Sequence, residues 1–316
     1  MNEQNICVGI TRKFIRMSKH IKNEKITYKS VFSYKKGIEK CSQKDIERIK
    51  KLCIPPNWKN VIISTSELSH LQATGVDDKG RTQYIYHPMW VLLTSSQKYS
   101  RMGQFAKKYS LFEQRIKNDI ISANDNYVLA IMFRILQKTF IRVGNDCYAK
   151  NNGTYGLTSL EKRHLTFDKK IIILTFIGKK SVPQCAKFKD PHCYDFLKSK
   201  LGNMKENDRL FNISPSTMSA YLQKYTCGDF TCKDFRTYGS NVLFLKLLCE
   251  LDIPKTQKEL NNNLNLTYDK VAEKLGHTRA ISKKSYVMSV IPEQYIINPN
   301  QFSKKNPNQL FKMLCC

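Results

Sequence analysis

The stretch GRTQYIYHPMW, residues 80–90, closes one sequence pattern, and SRMGQFAKKYSLFEQRIKNDII, residues 100–121, opens another. In the first, the β-branched or aromatic Thr82, Tyr84, Ile85 and Tyr86 lie between a glycine and a proline, which is a strand signal. In the second, apolar residues recur at helical spacing. The change after HPMW predicts two domains in an α+β chain. Residues 1–90 read as a small strand-rich domain, and residues 91–316 as a larger, mostly α-helical one with a short sheet.

Upstream of the opening stretch, CSQKDIERIKKLCIPP (41–56) predicts a helix. Ser42 caps it, Ile46, Ile49 and Leu52 form one apolar face, and Pro55-Pro56 ends it. NVIISTS and SHLQATGV read as strands, DDKG as a turn and RTQYIYH as the partner strand. The first 40 residues are basic and weakly periodic, with Tyr28, Phe32 and Tyr34 suggesting short strands. Downstream, DNYVLAIMFRILQKTFIRVG predicts a helix stopped at Gly144, and RHLTFDKKIIILTFIGKKSVPQ a strand pair. Helical patterns then dominate, through PHCYDFLKSKL, SPSTMSAYLQKY, CKDFRTYGSNVLFLKLLCEL (an amphipathic helix) and TYDKVAEKLG.

The 53 Lys and Arg residues outnumber 26 Asp and Glu, for a net charge of +27 spread along the chain. Such self-repulsion points to a polyanionic partner, with nucleic acid the leading candidate. An anionic membrane would call for a basic amphipathic helix or a lipid anchor, and neither is visible, so no membrane partner is expected. The opening residues lack the apolar core of a leader, and no run is long enough to span a bilayer. The 11 cysteines lack paired C-x-x-C spacing. Reduced thiols in an intracellular, non-secreted protein fit better than a disulfide framework or a zinc ribbon.

Four basic positions stand beside structural breaks: Arg142 in KTFIRVGND, Lys179 in TFIGKKS, Arg236 in CKDFRTYGSN and His277 in KLGHTRA. A fifth residue, Tyr286, follows His277 in GHTRAISKKSYV. Singly, each has an ordinary structural explanation, because helix-end arginines meet carbonyls, turn lysines are solvated and such tyrosines pack. Their order gives them a joint meaning.

Arg142, Lys179 in FIGK, Arg236 in KDFRTYG, His277 in GHT and Tyr286 in SKKSY resemble, in order and spacing, the type IB DNA topoisomerases. The compact viral (poxvirus-type) and bacterial members are nearest. IPPNWKNV and ATGVDDKGRTQYIYHPMW resemble the family's N-terminal domain, and FIRVGN with YGLTSL the segment after its first catalytic arginine. The resemblance spans roughly residues 50–290.

The resemblance implies the catalytic fold shared by tyrosine recombinases and type IB topoisomerases, preceded by a DNA-clamping domain. Tyr286 would attack a phosphodiester to form a 3′-phosphotyrosyl bond. Arg142, Arg236 and His277 would contact the non-bridging oxygens, and Lys179 would protonate the leaving 5′-oxygen. Lys233, three residues before Arg236, matches a further basic position. Arg81, Gln83, Tyr84, Tyr86 and Tyr148 would touch DNA; strand alternation sets Arg81, Gln83 and Ile85 opposite Thr82, Tyr84 and Tyr86. Packing of Tyr84 and Tyr86 into the small core is the competing reading. The expected partner is duplex DNA, held by a monomer in a two-domain clamp.

Because the tyrosyl ester conserves the bond energy, no cofactor, ATP or metal is expected, and GVDDKGR is no phosphate-binding P-loop. If the chain is viral, it would act at a cytoplasmic replication site or in the virion. Two departures from the poxviral pattern stand out. Asn145 and Cys147 replace lysines, which puts the poxviral site preference in doubt, and Lys180 replaces an aspartate. A tyrosine recombinase is the nearest rival, but recombinases usually place histidine where KDFR has Lys233. A non-catalytic DNA-packaging protein would explain the charge but not the ordered residues.

Overall fold

The computed structural model describes residues 9–22, 25–37 and 39–315. The first eight residues, on which the leader reading falls, and Cys316 of the terminal LCC lie outside these. The chain forms two compact units, Met1–Gln97 and Lys98–Cys316.

The first unit is a six-stranded antiparallel sheet in the order β3-β2-β1-β4-β5-β6. Its strands are β1 (Ile10–Lys22), β2 (Lys25–Lys36), β3 (Glu39–Lys40), β4 (Lys59–Ile63), β5 (Leu71–Val76) and β6 (Thr82–Tyr86). The short strands expected in the first 40 residues are instead one long hairpin, because no glycine or proline interrupts residues 11–36. Helix α1 (Gln43–Lys51) starts as expected at Ser42, whose Oγ accepts the Asp45 N–H at 3.1 Å. Its Ile49 joins Ile10, Val61, Ile63 and Ala73 in a small core. The β5–β6 turn closes through a Gly80 N–H bond to the Asp77 carbonyl at 2.9 Å.

Helix α2 (Pro88–Ile121) begins in the residues of the first unit and continues in the second. Helices α3 (Tyr127–Thr139), α4 (Asp146–Asn152), α5 (Pro191–Lys200), α6 (Pro215–Thr226), α7 (Cys232–Glu250) and α8 (Gln257–Leu275) follow. The short α9 (Arg279–Ile281), then α10 (Val290–Ile297) and α11 (Pro307–Cys315), complete the unit. The expected strand pair is a three-stranded sheet of β7 (Leu165–Asp168), β8 (Ile171–Gly178) and β9 (Val182–Phe188). Phe105, Phe112, Phe133 and Phe235 centre a continuous aromatic core. A strand-rich region followed by a mostly helical one agrees with the α+β expectation.

Two helix readings need correction. Helix α3 does not run to Gly144 but ends at Phe140, which turns into the left-handed region at φ 55°. Helix α7 is amphipathic only in part: Phe235 through Asn241 are all buried, whereas Lys246 and Glu250 further along are exposed. The nine described cysteines are free thiols. Among the described residues, no helix is long and apolar enough to cross a membrane.

Candidate active site

Arg142 sits in the segment between α3 and α4. Leu157 donates its N–H to the Arg142 carbonyl at 2.9 Å, and Thr158 donates to the Val143 carbonyl at 2.7 Å. The two backbones touch where Gly144, at φ 93°, meets Gly156. A Cβ on Gly156 would lie 2.5 Å from the Gly144 Cα and 2.7 Å from the Arg142 carbonyl. Only glycine permits that approach, and it fixes the track of Arg142.

Arg236 projects from the second turn of α7, whose start is fixed by Asp234 accepting the Thr231 N–H at 2.7 Å. Its side chain is buried, and its two terminal nitrogens donate to the carbonyls of Phe140 and Leu275. The remaining Nε reaches the Tyr286 hydroxyl at 3.2 Å. The left-handed end of α3 thus supplies a carbonyl that aims the guanidinium. Burial, then the nearby Arg142 cation, bring the Arg236 pKa down to about 10, so it stays charged at neutral pH.

His277 follows a Schellman ending of α8, in which Gly276 turns left-handed and the His277 N–H returns to the Ala272 carbonyl at 3.0 Å. Its ring stacks on Tyr286, with centroids 4.7 Å apart. Nδ1 lies 3.2 Å from the Thr278 carbonyl and 3.4 Å from the Ser282 hydroxyl. Nε2 is buried and, among the described residues, has no hydrogen-bond partner. Burial, then Arg236 and Arg142, lower the His277 pKa, so the ring is neutral at neutral pH.

Tyr286 ends a π-helical turn, Ser282–Tyr286. Four neighbouring backbone groups are tied down. Asn241 donates to the Tyr286 carbonyl at 2.9 Å and accepts the Met288 N–H at 2.8 Å. Lys98 donates to the Ser285 carbonyl, and the Ser289 N–H reaches the Tyr99 hydroxyl at 3.3 Å. The phenol oxygen receives Arg236 Nε and, at 3.4 Å, Arg142 Nη2. Burial alone would raise the phenol pKa, but the Arg236 and Arg142 cations outweigh it and lower it.

A cavity of about 460 Å³ opens here, lined by Arg142, Lys179, Lys233, Arg236 and Tyr286. Lys179 opens the β8–β9 turn (Lys179–Ser181), as expected, and is exposed. All five residues singled out for chemistry lie in the second unit. Arg142, Arg236 and His277 touch Tyr286 or its ring, and Lys179 joins Arg142, Arg236 and Tyr286 in the cavity wall, which His277 does not line. Two guanidinium groups at one phenol oxygen, with an ammonium lining the same cavity, are chemically suited to receive an anion. Among the described residues, no three or more His, Cys, Asp or Glu side chains group as metal ligands.

The residues expected to touch DNA are more dispersed. Tyr84 and Tyr86 are exposed and stack on each other at 6.1 Å, so they do not pack the small core. Gln83 and Arg81 both bond Asp77, at 3.0 and 2.7 Å. Tyr148 is exposed on α4, which Asn145 caps by accepting the Cys147 N–H at 2.9 Å. Arg279, between His277 and Tyr286 in the sequence, pairs with Asp269. Sequence reasoning missed Asn241, Ser282 and Lys98. Asn241 carried a signal, as a lone amide entering the apolar run VLFLKLL, whereas nothing in the sequence marked Lys98.

Residues 93–305 match the family described as "Eukaryotic DNA topoisomerase I, catalytic core", and residues 31–77 match "Bacterial DNA topoisomerase IB, N-terminal domain". The chain is 34% identical over 301 residues to DNA topoisomerase 1B of Acanthamoeba polyphaga mimivirus, covering 89% of each chain. It is 30% identical over 264 residues to DNA topoisomerase 1B of Vaccinia virus (strain Copenhagen), covering 78% of this chain and 81% of that one. DNA topoisomerase 1 of Rabbit fibroma virus (strain Kasza) is 29% identical over 268 residues, covering 80% and 82%.

Proposed function

The chain belongs to the type IB DNA topoisomerases, and on that premise we propose that it relaxes positive and negative supercoils by cutting and resealing one strand. The observation that carries this reading is the Tyr286 hydroxyl held between Arg236 Nε at 3.2 Å and Arg142 Nη2 at 3.4 Å. The Tyr286 oxygen attacks a backbone phosphorus as its proton leaves to solvent. The P–O5′ bond breaks, the 5′-oxygen takes a proton from Lys179, and a 3′-phosphotyrosyl ester remains. Arg142, Arg236 and the His277 Nε2–H stabilise the charge building on the non-bridging oxygens, each positioned donor worth roughly 10²–10³ in rate.

The free 5′ end then turns about the intact strand, and the reverse displacement reseals it. The ester retains the bond energy, so neither ATP nor a metal is needed. Residues 91–316 adopt the catalytic fold shared with tyrosine recombinases. Residues 1–90 grip the duplex, and the enzyme works as a monomer inside the cell. Lys233, Tyr84, Tyr86 and Tyr148 contact DNA. Gln83 and Arg81 do so by exchanging Asp77 for the duplex.

The test is relaxation of a supercoiled plasmid carrying no recombination site. The parent chain should relax it and form a covalent complex at the 3′ end of the nick. Tyr286→Phe should abolish both while still binding duplex. Full relaxation by Tyr286→Phe would sink the reading, and a parent chain that binds duplex without relaxing it would return the chain to a packaging role.

A further inference from the structure

Only the root of the β1–β2 hairpin belongs to the first unit's sheet. β1 pairs with β4 at Ile10↔Ile63 and Thr11↔Ile62 alone, and β2 pairs with β3 at Lys35↔Lys40 and Lys36↔Glu39 alone. From Arg12↔Tyr34 to Lys22↔Lys25 the described residues of the two strands pair only with each other. At about 3.3 Å per residue, that arm runs roughly 33 Å. Among the described residues, the small core takes Ile10 from the hairpin, with Tyr34 packed alongside, and no residue further along the arm joins it. A two-stranded ribbon by itself is marginally stable in water.

The arm's composition points to its partner. Residues 11–36 carry nine Lys or Arg and a single acid, Glu24. Arg12 is committed to the root, donating to the carbonyls of Ile54, Pro55 and Trp58 at 3.2, 2.9 and 2.8 Å. The other eight, nine less Arg12, give the arm a strongly cationic composition that suits a polyanion. Like charge along both edges opposes pairing with a second copy of the chain. A two-stranded ribbon fits the major groove of B-DNA, and roughly 33 Å is close to one duplex turn. The register shift between Phe14 and Arg16 adds twist of the hand the groove requires. β1 also lies wholly before residue 31, where the match to the bacterial N-terminal domain begins.

We propose that the β1–β2 arm is an additional DNA-binding element, holding duplex through backbone phosphates and raising affinity without entering the chemistry at Tyr286. The proposal rests on duplex DNA being the substrate, as argued above. The arm contributes counterion release, so its signature is in the salt dependence of binding rather than in the cleavage rate.

The test compares the parent with two full-length variants. One carries Lys19→Gln, Lys22→Gln, Lys25→Gln and Lys29→Gln; in the other, residues 14–32 are replaced by Asn-Gly. Binding to a duplex several turns long is measured between about 50 and 200 mM salt, where each lost phosphate contact removes about 0.9 from the log–log slope. The quadruple variant should bind with a slope shallower by roughly 2–4 and an affinity about tenfold weaker at the upper salt. Single-turnover cleavage at saturating enzyme should equal that of the parent, which also verifies folding. Unchanged slope and affinity in both variants would overturn the proposal. So would arm-dependent binding to phosphatidylserine vesicles combined with an unchanged DNA slope. If even the parent formed no covalent complex, the strand-cutting function would fall while the slopes still decided the role of the arm.

Discussion

At Tyr286 two effects oppose each other, and the arginines win: burial raises the phenol pKa, and the Arg236 and Arg142 cations lower it below its ordinary value. A lowered pKa means more phenolate at a given pH, so cleavage should climb with pH and level off below the range of a free tyrosine. Arg142→Gln is the cleaner probe, because the Arg236 side chain also serves two backbone carbonyls. It should slow cleavage roughly 10²–10³-fold and move the climb to higher pH; a constant loss at every pH would mean that Arg142 acts on the phosphate alone. His277 poses a tautomer question. A neutral ring that gives its Nδ1–H to the Thr278 carbonyl carries a lone pair, not a proton, at Nε2. The Ser282 hydroxyl, buried 3.4 Å from Nδ1, can donate instead and leave the proton on Nε2. Ser282→Ala should therefore slow cleavage at neutral pH, by about tenfold or more, toward the loss of a positioned donor. The gap from the parent should narrow as pH falls through the lowered His277 pKa, because an imidazolium carries both protons. A gap constant with pH would reject the tautomer role.

At the scale of elements, three of the five chemical groups stand where a helix or strand ends. Arg142 follows the left-handed stop of α3, His277 the Schellman end of α8, and Lys179 the tip of β8. Such ends leave carbonyls without helical partners, and the Phe140 and Leu275 carbonyls are used to aim Arg236. The crossing of Gly144 and Gly156 is the tightest point of this arrangement. Gly156→Ala should cost about 1–3 kcal/mol of stability, as overpacking does, and should lower cleavage by displacing Arg142. Thermal melting read beside single-turnover cleavage checks this; full activity with a lowered melting temperature would show that the crossing serves folding only. The local signals for these ends were partly legible. Gly276 announced its own turn, and Ser42 its cap. The end of α3 was not, since Phe140 adopts a conformation that disfavours a side chain, and α7 packs there so closely that a Cβ on Gly239 would meet the Phe140 ring at 2.2 Å. Tertiary packing outweighed the glycine stop signal at Gly144.

For the whole molecule, a net charge of +27 distributed along 316 residues points to a polyanionic partner independently of the fold. The order of Arg142, Lys179, Arg236, His277 and Tyr286 carried the chemistry, because each reaction role accepts few residue types. The strand-to-helix change after HPMW carried the α+β class, since side-chain periodicity is a local property of the backbone. Other features were not written locally. The β1–β2 arm was read as short strands, because weak alternation does not register how far a hairpin continues without a core. Gln83 and Arg81 looked free for DNA until the β5–β6 turn brought Asp77 to them. The sequence by itself determined which groups are present, their order and the periodicity of the elements bearing them. Tertiary structure alone decided that Arg142 and Tyr286, 144 residues apart, meet, and that Asn241 holds the tyrosine's backbone. Contacts of that range depend on the packing free energy of the whole core, which no short window of sequence contains.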